Sequence, residues 1–498
     1  MKPGSISALA LAAIIAAGCL FAVPAQALAD DDGEAVVAVQ DAHSEAQESH
    51  DGGEEDDHGA TPPFWVTLPF VALLLMIATG PLFYEHHWHH HYPKYAVGLG
   101  LITAAYYFFV QDTFLPIEHA LAEYLSFIAL LASLFIASGG ILIRVNAKGT
   151  PLANCALLFI GAVISNVIGT TGASMLLIQP YMRLNKGRIH AYHIIFFIFV
   201  VSNVGGALTP IGDPPLFLGF LRGVSFFWTL TNVWYVWLPT VLLLIGVFYV
   251  FDKRNKTESA YQIEEGVAMI RISGYKNFIW LGLVVVSVFI DPNVFAAVPA
   301  LHIGDMHLPF GIREIIMFSI CFLAYRLASR EILDANDFNF GPIREVAWLF
   351  IGIFLTMQPA LGLIRDFANT NSDSLTVSMF YWGTGSLSGV LDNAPTYVSF
   401  LSAAMGKLGL DVNVPAEVLA FSQPLTGAPD FLQAISIAAV FFGAMTYIGN
   451  GPNFMVKAIA EASGVDCPSF GGYLVRYAIP ILLPIYFVVW VIMYSGWI

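Results

Sequence analysis

The sequence predicts an all-α polytopic membrane protein: two inverted repeats, about ten transmembrane crossings, two re-entrant hairpins and two discontinuous helices. Three observations predict it. The 498-residue chain is 57% hydrophobic and only 11% charged, against about 25% charged in soluble domains. Polar islands bearing Gly and Pro interrupt long apolar runs at matching places in the two halves, and paired interruptions of this kind point to a transporter's binding site. Lys and Arg fall overwhelmingly in the loops of one side, which is the signature of membrane orientation.

Taken in order, residues 1–27 read as a secretory signal peptide. Lys2 opens it, Ile6 to Val23 is apolar, and Ala25-Gln26-Ala27 has the small-x-small form of a cleavage site; an uncleaved first helix is the alternative. Residues 28–62 are acidic, with no Lys or Arg between Asp30 and Asp57, and supply much of the net charge of −15. This composition predicts a disordered periplasmic segment. The cysteines (Cys19, Cys155, Cys321, Cys467) sit at no metal-like or disulfide-framework spacing. The basic patch that nucleic acid requires is absent, so the expected surroundings are a lipid bilayer and small solutes.

The first repeat, 63–251, has spans near 64–83, 94–111 and 121–143, a hairpin over 152–183, a discontinuous helix over 190–221 and a last span near 233–251. A cytoplasmic linker covers 252–276. The second repeat, 277–498, has spans near 277–291, 311–328 and 344–364, a hairpin over 375–405, a discontinuous helix over 431–460 and a last span near 473–494. A hairpin does not cross, so each repeat crosses an odd number of times and the second copy is inverted. With the mature N-terminus periplasmic, Arg222, Arg313, Arg365 and Lys407 lie outside. Lys2 belongs to the signal, and every other Lys and Arg of the 21 lies inside. The expected location is a bacterial cytoplasmic (inner) membrane.

The islands carry the chemistry. The first hairpin tip holds Ser165, Asn166, Thr170 and Thr171, and the first broken helix holds Ser202, Asn203, Thr209 and Asp213. The second tip holds Asp392, Asn393 and Thr396, and the second broken helix holds Thr446, Asn450 and Asn453. Unwound carbonyls with Ser, Thr and Asn oxygens form a hard-oxygen cage suited to an alkali cation. Asn166, Asn203, Asp392, Asn393 and Asn450 are the sodium ligands this reading names. An Asp at membrane depth costs about 2.5–3.5 kcal/mol and is retained for function. Out of water a carboxyl favours its neutral form, and a bound cation favours its ionised form, so Asp213 and Asp392 are the candidate pair exchanging proton for cation. The bland alternative makes each Asp a cap for the helix that follows it. No enzymatic cofactor is expected, only sodium ion and proton as transported or coupling species.

Glu85-His86-His87-Trp88-His89-His90-His91-Tyr92 directly follows the first span. It reads as a juxtamembrane loop with an aromatic belt; zinc binding or pH sensing is the alternative.

At the islands the chain resembles the ion transporter superfamily, which groups citrate and dicarboxylate carriers with arsenite pumps and NhaD-type sodium/proton antiporters. The resemblance is carried by Ser202-Asn203-Val204-Gly205-Gly206 through Thr209-Pro210-Ile211-Gly212-Asp213-Pro214-Pro215, by Leu391-Asp392-Asn393-Ala394-Pro395-Thr396, and by Gly443-Ala444-Met445-Thr446-Tyr447-Ile448-Gly449-Asn450-Gly451-Pro452-Asn453. It implies a scaffold of first spans, a transport part of hairpins and broken helices, a homodimer, and an elevator-like shift. The carboxylate carriers use Ser-Asn-Thr in both tips. Here the first tip continues Ser165-Asn166 with Val167, and the second reads Asp392-Asn393-Ala394-Pro395, similar to the NhaD-type pattern.

The expectation is therefore a sodium/proton antiporter and not an enzyme. A sodium- or proton-coupled citrate or dicarboxylate symporter is the alternative. An intramembrane aspartyl protease is disfavoured, because only Gly212-Asp213 matches its signals.

Overall fold

The computed structural model describes residues 62–263, 269–291, 298, 301–303, 306–308, 311–423 and 428–495. Residues 1–27, read from sequence as a signal peptide, and nearly all of the acidic segment lie outside the described residues.

After a short 3-10 turn, α1 (Leu68–Phe83) and α2 (Glu85–Phe109) are joined by Tyr84 alone and run antiparallel, so that Trp65 meets Tyr106 edge-on at 5.3 Å. The His-rich run is thus helix rather than the loop read from sequence. Trp88 and Tyr92, one turn apart, are buried. Trp88 lies over Gly80 so closely that any Cβ there would sit 2.5 Å from the indole. This tertiary seat overrides the weak helix propensity of the imidazoles.

The chain continues through α3 (Leu115–Gly139), which ends earlier than the span expected to reach residue 143. Residues beyond it form β1 (Leu142–Val145), which pairs antiparallel with β2 (Ile270–Ser273). The rest of the first half is α4 (Pro151–Leu184), α5 (Ala191–Val200), α6 (Pro214–Leu221) and α7 (Trp228–Arg254). The second half comprises α8 (Asn277–Val288), α9 (Ile312–Leu327), α10 (Arg330–Ala335), α11 (Gly341–Thr370), α12 (Val377–Ser388), α13 (Asn393–Gly406), α14 (Pro415–Phe421), α15 (Pro429–Phe442), α16 (Gly451–Ala462) and a last helical run, α17 (Phe470–Met493), whose middle is π-helical around Pro480. A second small ribbon joins Leu301–Ile303 to Met306–Leu308.

Among the described residues six helices are long and apolar enough to cross a membrane, one of them α4. Length misleads for α4. Asn154 and Asn185, near its two ends, exchange side-chain hydrogen bonds of 2.9 and 2.7 Å, whereas a straight helix would hold them about 46 Å apart. The turn is at Gly169, whose φ of 78° lies in the region an L side chain avoids. α4 is therefore a hairpin returning to its starting level, as the sequence predicts. α12 and α13 form the second hairpin around Gly389–Asp392, and Gly383 faces Phe400 across it. Both discontinuous helices are also present. The helical course stops at Val200 and resumes at Pro214, and it stops at Phe442 and resumes at Gly451, with single 3-10 turns between.

Candidate functional site

Four chain segments that leave their helices meet at one carboxylate. Asp213, 1% exposed, occupies the position before α6 with extended backbone angles, yet it makes no capping bond. Its carboxylate turns inward instead. Oδ1 accepts from Thr170 Oγ1 at 2.7 Å and from Asn450 Nδ2 at 2.8 Å, and Oδ2 accepts from Asn393 Nδ2 at 2.6 Å. The donors come from the first tip, the second broken helix and the second tip. Among the described residues no Lys or Arg pairs with it. Hydrogen bonds to a charged group contribute about 1.5–3 kcal/mol each, so this cage suits an ionised carboxylate. A carboxylate offers about four acceptor positions. Three are filled, and one on Oδ2 remains for a proton or a cation.

Asp392 behaves differently. It is half-buried, and its Oδ1 caps α13 through the Ala394 N–H at 3.0 Å, while Thr396 Oγ1 bonds back to its carbonyl at 2.9 Å. The cap reading applies to Asp392 and not to Asp213.

The remaining candidates divide by what their polar atoms already do. Asn166 is fully engaged. Its Nδ2 donates to Ala162 O and Gly205 O at 2.9 and 2.6 Å, and its Oδ1 accepts the Leu208 N–H at 2.8 Å. Thr209 Oγ1 donates to Asn166 O at 2.6 Å, Ser165 Oγ to Val201 O at 2.7 Å, and Ser202 pairs with Ser174. Thr446 Oγ1 accepts from Gly449 N, and Asn453 Nδ2 donates to Gly443 O and Thr446 O, both at 2.9 Å. These side chains replace the helical bonds that the unwound segments gave up, which backbone at membrane depth requires. Thr171 is half-buried and joins no hydrogen bond of the cage among the described residues.

Two oxygens are left over. Asn203 Oδ1 and Asn393 Oδ1 are buried and accept no hydrogen bond among the described residues. Asn203 donates to Ile198 O and to Asn453 Oδ1 at 2.8 and 2.7 Å. The two amides meet beside Gly443, where an added Cβ would lie 3.0 Å from Asn203 Oδ1, 3.3 Å from Asn393 Nδ2 and 3.3 Å from Gly449 O. Buried unsatisfied acceptors are rare, and amide oxygens on side chains around a carboxyl group are the kind of donor a hard cation takes.

The geometry also exposes a repeat at residue level that reading segment order misses. Gly206-Ala207-Leu208-Thr209-Pro210-Ile211-Gly212-Asp213 and Gly443-Ala444-Met445-Thr446-Tyr447-Ile448-Gly449-Asn450 share register. In both, the second Gly N–H donates to the Thr hydroxyl at 3.1 Å. Asp213 and Asn450 are thus equivalent positions, and they bond each other. In the tips, Ser165 through Thr170 matches Ser388 through Asn393, and equivalent Thr170 and Asn393 both hold Asp213.

A further polar cluster, not anticipated, lies at the other end of the first hairpin. Asp252 on α7 accepts from Arg188 at 2.7 and 3.2 Å, from Tyr192 at 2.7 Å and from Asn154 at 2.8 Å, with His193 Nε2 at 3.1 Å. An Asp closing the apolar run of α7 was its only sequence signal.

Known membrane transporters share sequence with this chain. An uncharacterised transporter of Mycobacterium bovis is 24% identical over 335 residues, covering 64% of this chain and 72% of its own. A Mycobacterium tuberculosis uncharacterised transporter is 25% identical over 337 residues, with the same shares covered. A 46 kDa membrane protein of Mycobacterium leprae is 24% identical over 340 residues, again covering 64% and 72%. The family profile described as "Putative citrate transport" matches residues 59–494. The chain belongs to this citrate-transporter-like family of multi-pass membrane transporters.

Proposed function

We propose that this protein is a sodium/proton antiporter in which Asp213 is the carboxyl that trades a proton for the cation. The observation that carries the reading is a buried carboxylate held by three neutral donors with no basic partner among the described residues, beside two amide oxygens with nothing to accept. Sodium on Asp213, Asn203 Oδ1 and Asn393 Oδ1 would satisfy all three. Asn166 and Asn453 shape the cage without ligating, and Asn450 holds the carboxylate. A citrate anion would meet negative charge and would need the site neutralised first. Alternating access follows from the two inverted repeats sharing this centre, in a homodimer of scaffold and transport parts.

The test is proton movement in liposomes after a sodium pulse, with labelled citrate in parallel. Sodium-dependent proton efflux without citrate uptake supports the reading. Citrate uptake with no proton-for-sodium exchange supports the second reading, which the family description favours, and removes the first.

Two expectations follow. Competition for one carboxyl means that apparent sodium affinity falls about tenfold per pH unit on the acid side, the limit for one proton. The slope of sodium half-saturation against pH measures it; a flat profile counts against a shared group. Gly443→Ala puts a methyl among Asn203, Asn393 and Gly449. Crowding of about 1–3 kcal/mol then weakens sodium by about tenfold with the maximal rate less affected, read from the sodium dependence of exchange.

A further inference from the structure

The imidazoles at the start of α2 are a second place with ligand chemistry. Trp88 and Tyr92 form the buried side of the helix, whereas His86, His87, His89 and His90 are exposed and His91 is half-buried. Side chains four apart on a helix are neighbours. The rings of His86 and His90 are 4.6 Å apart and tilted, and those of His87 and His91 are 4.4 Å apart and stacked.

In both pairs the second ring's Nδ1 sits on the first residue's carbonyl oxygen, at 3.0 Å for His91 on His87, and the pairs differ at the first ring. His87 Nε2 lies 2.8 Å from the Tyr95 hydroxyl, so that pair's ligating atom is engaged. In the other pair, His90 Nδ1 lies 2.8 Å from the carbonyl oxygen of His86. A carbonyl only accepts, so Nδ1 carries the hydrogen and the lone pair of the neutral ring is on Nε2. Fixing one ring nitrogen on a backbone carbonyl is how proteins commonly orient a metal-ligating His.

We propose that His86 and His90 form a two-imidazole site for a borderline divalent transition metal, such as zinc, nickel or copper(II). Two His at i and i+4 on one helical face are the spacing used by helical zinc sites. Imidazole selects these metals over the hard cations, which take oxygen. Among the described residues no three His, Cys, Asp or Glu gather into a ligand set. The protein therefore supplies two ligands and water completes the shell. Such a chelate joins the first two turns of α2, which packs along α11. The site is independent of the transport reading.

The test uses tag-free full-length protein in detergent, titrated with zinc alone and separately with copper(II) for paramagnetic resonance. Helix content of each variant is checked by circular dichroism. The expected result is a copper signal with two equatorial nitrogens, and a zinc stoichiometry that drops by one ion per chain in both H86Q and H90Q. Any residual zinc at that site binds about tenfold or more weakly, and H87Q matches the parent. Because the readout is a difference in stoichiometry, binding by His43, His50 or His58 does not mask it. Unchanged stoichiometry in H86Q and H90Q, or loss of the ion in H87Q instead, overturns the assignment.

Discussion

Asp213→Asn abolishes sodium-driven proton exchange, leaving liposomes indistinguishable from protein-free ones. The expectation rests on two consequences of one substitution. The exchanging charge is gone, so neither proton nor cation has a reason to bind there. The hydrogen-bond set is also mismatched, because Thr170, Asn393 and Asn450 all donate toward Asp213 and an amide offers only one acceptor oxygen. At least one buried donor is then unpaired, at about 1–3 kcal/mol. Asp392→Asn separates these effects. Asp392 caps α13, and Asn caps as well as Asp does, so this variant is expected to fold normally and to keep measurable exchange. If Asp392→Asn loses exchange while Asp213→Asn exchanges at the parental rate, the roles assigned to the two acids are reversed.

The apolar runs, hairpins and broken helices were legible in the sequence because each is a local contrast: Gly, Pro, Asn and Asp where lipid demands hydrocarbon. The division of labour among the polar residues was not. Asn166 and Asn203 look alike in sequence, and only their partners make one a brace and the other a holder of a spare oxygen. Those partners are remote; Asn450 reaches Asp213 across 237 positions. The two acids looked equivalent for the same reason, since capping is decided by where the carboxylate turns. The repeat of Gly-Ala-x-Thr-x-Ile-Gly was readable throughout, but its meaning depends on the contact between Asp213 and Asn450. The His run was misread as loop because its helix is imposed by Trp88 seated on Gly80, a contact that composition does not announce.

The largest expected loss of stability comes from the other end of the first hairpin. Arg188 and Asp252 are almost fully buried and form a two-pronged pair. Asn154, on the first arm of α4, and Asn185, which caps the end of the second, bond each other, and Asn154 also reaches Asp252 while Arg188 reaches Asn185. One carboxylate thus fastens α7 to both arms and to the start of α5. Asp252→Ala leaves the guanidinium buried without its counter-charge, a loss of about 3–5 kcal/mol, read as a large fall in melting temperature and in recovery of monodisperse protein. The double variant Arg188→Met with Asp252→Leu tests the cause. Replacing a buried pair by apolar groups of similar size is often neutral, so it should recover most of the loss if uncompensated charge is the reason. If it melts as low as Asp252→Ala, the bonds to Asn154 and Tyr192 carry the stability instead. Asn154 is eleven residues from Ser165, about 16 Å along the helical arm. Sodium affinity in the recovered double variant should therefore match the parent, since the fastening holds the hairpin's base and the exchange chemistry is at its tip.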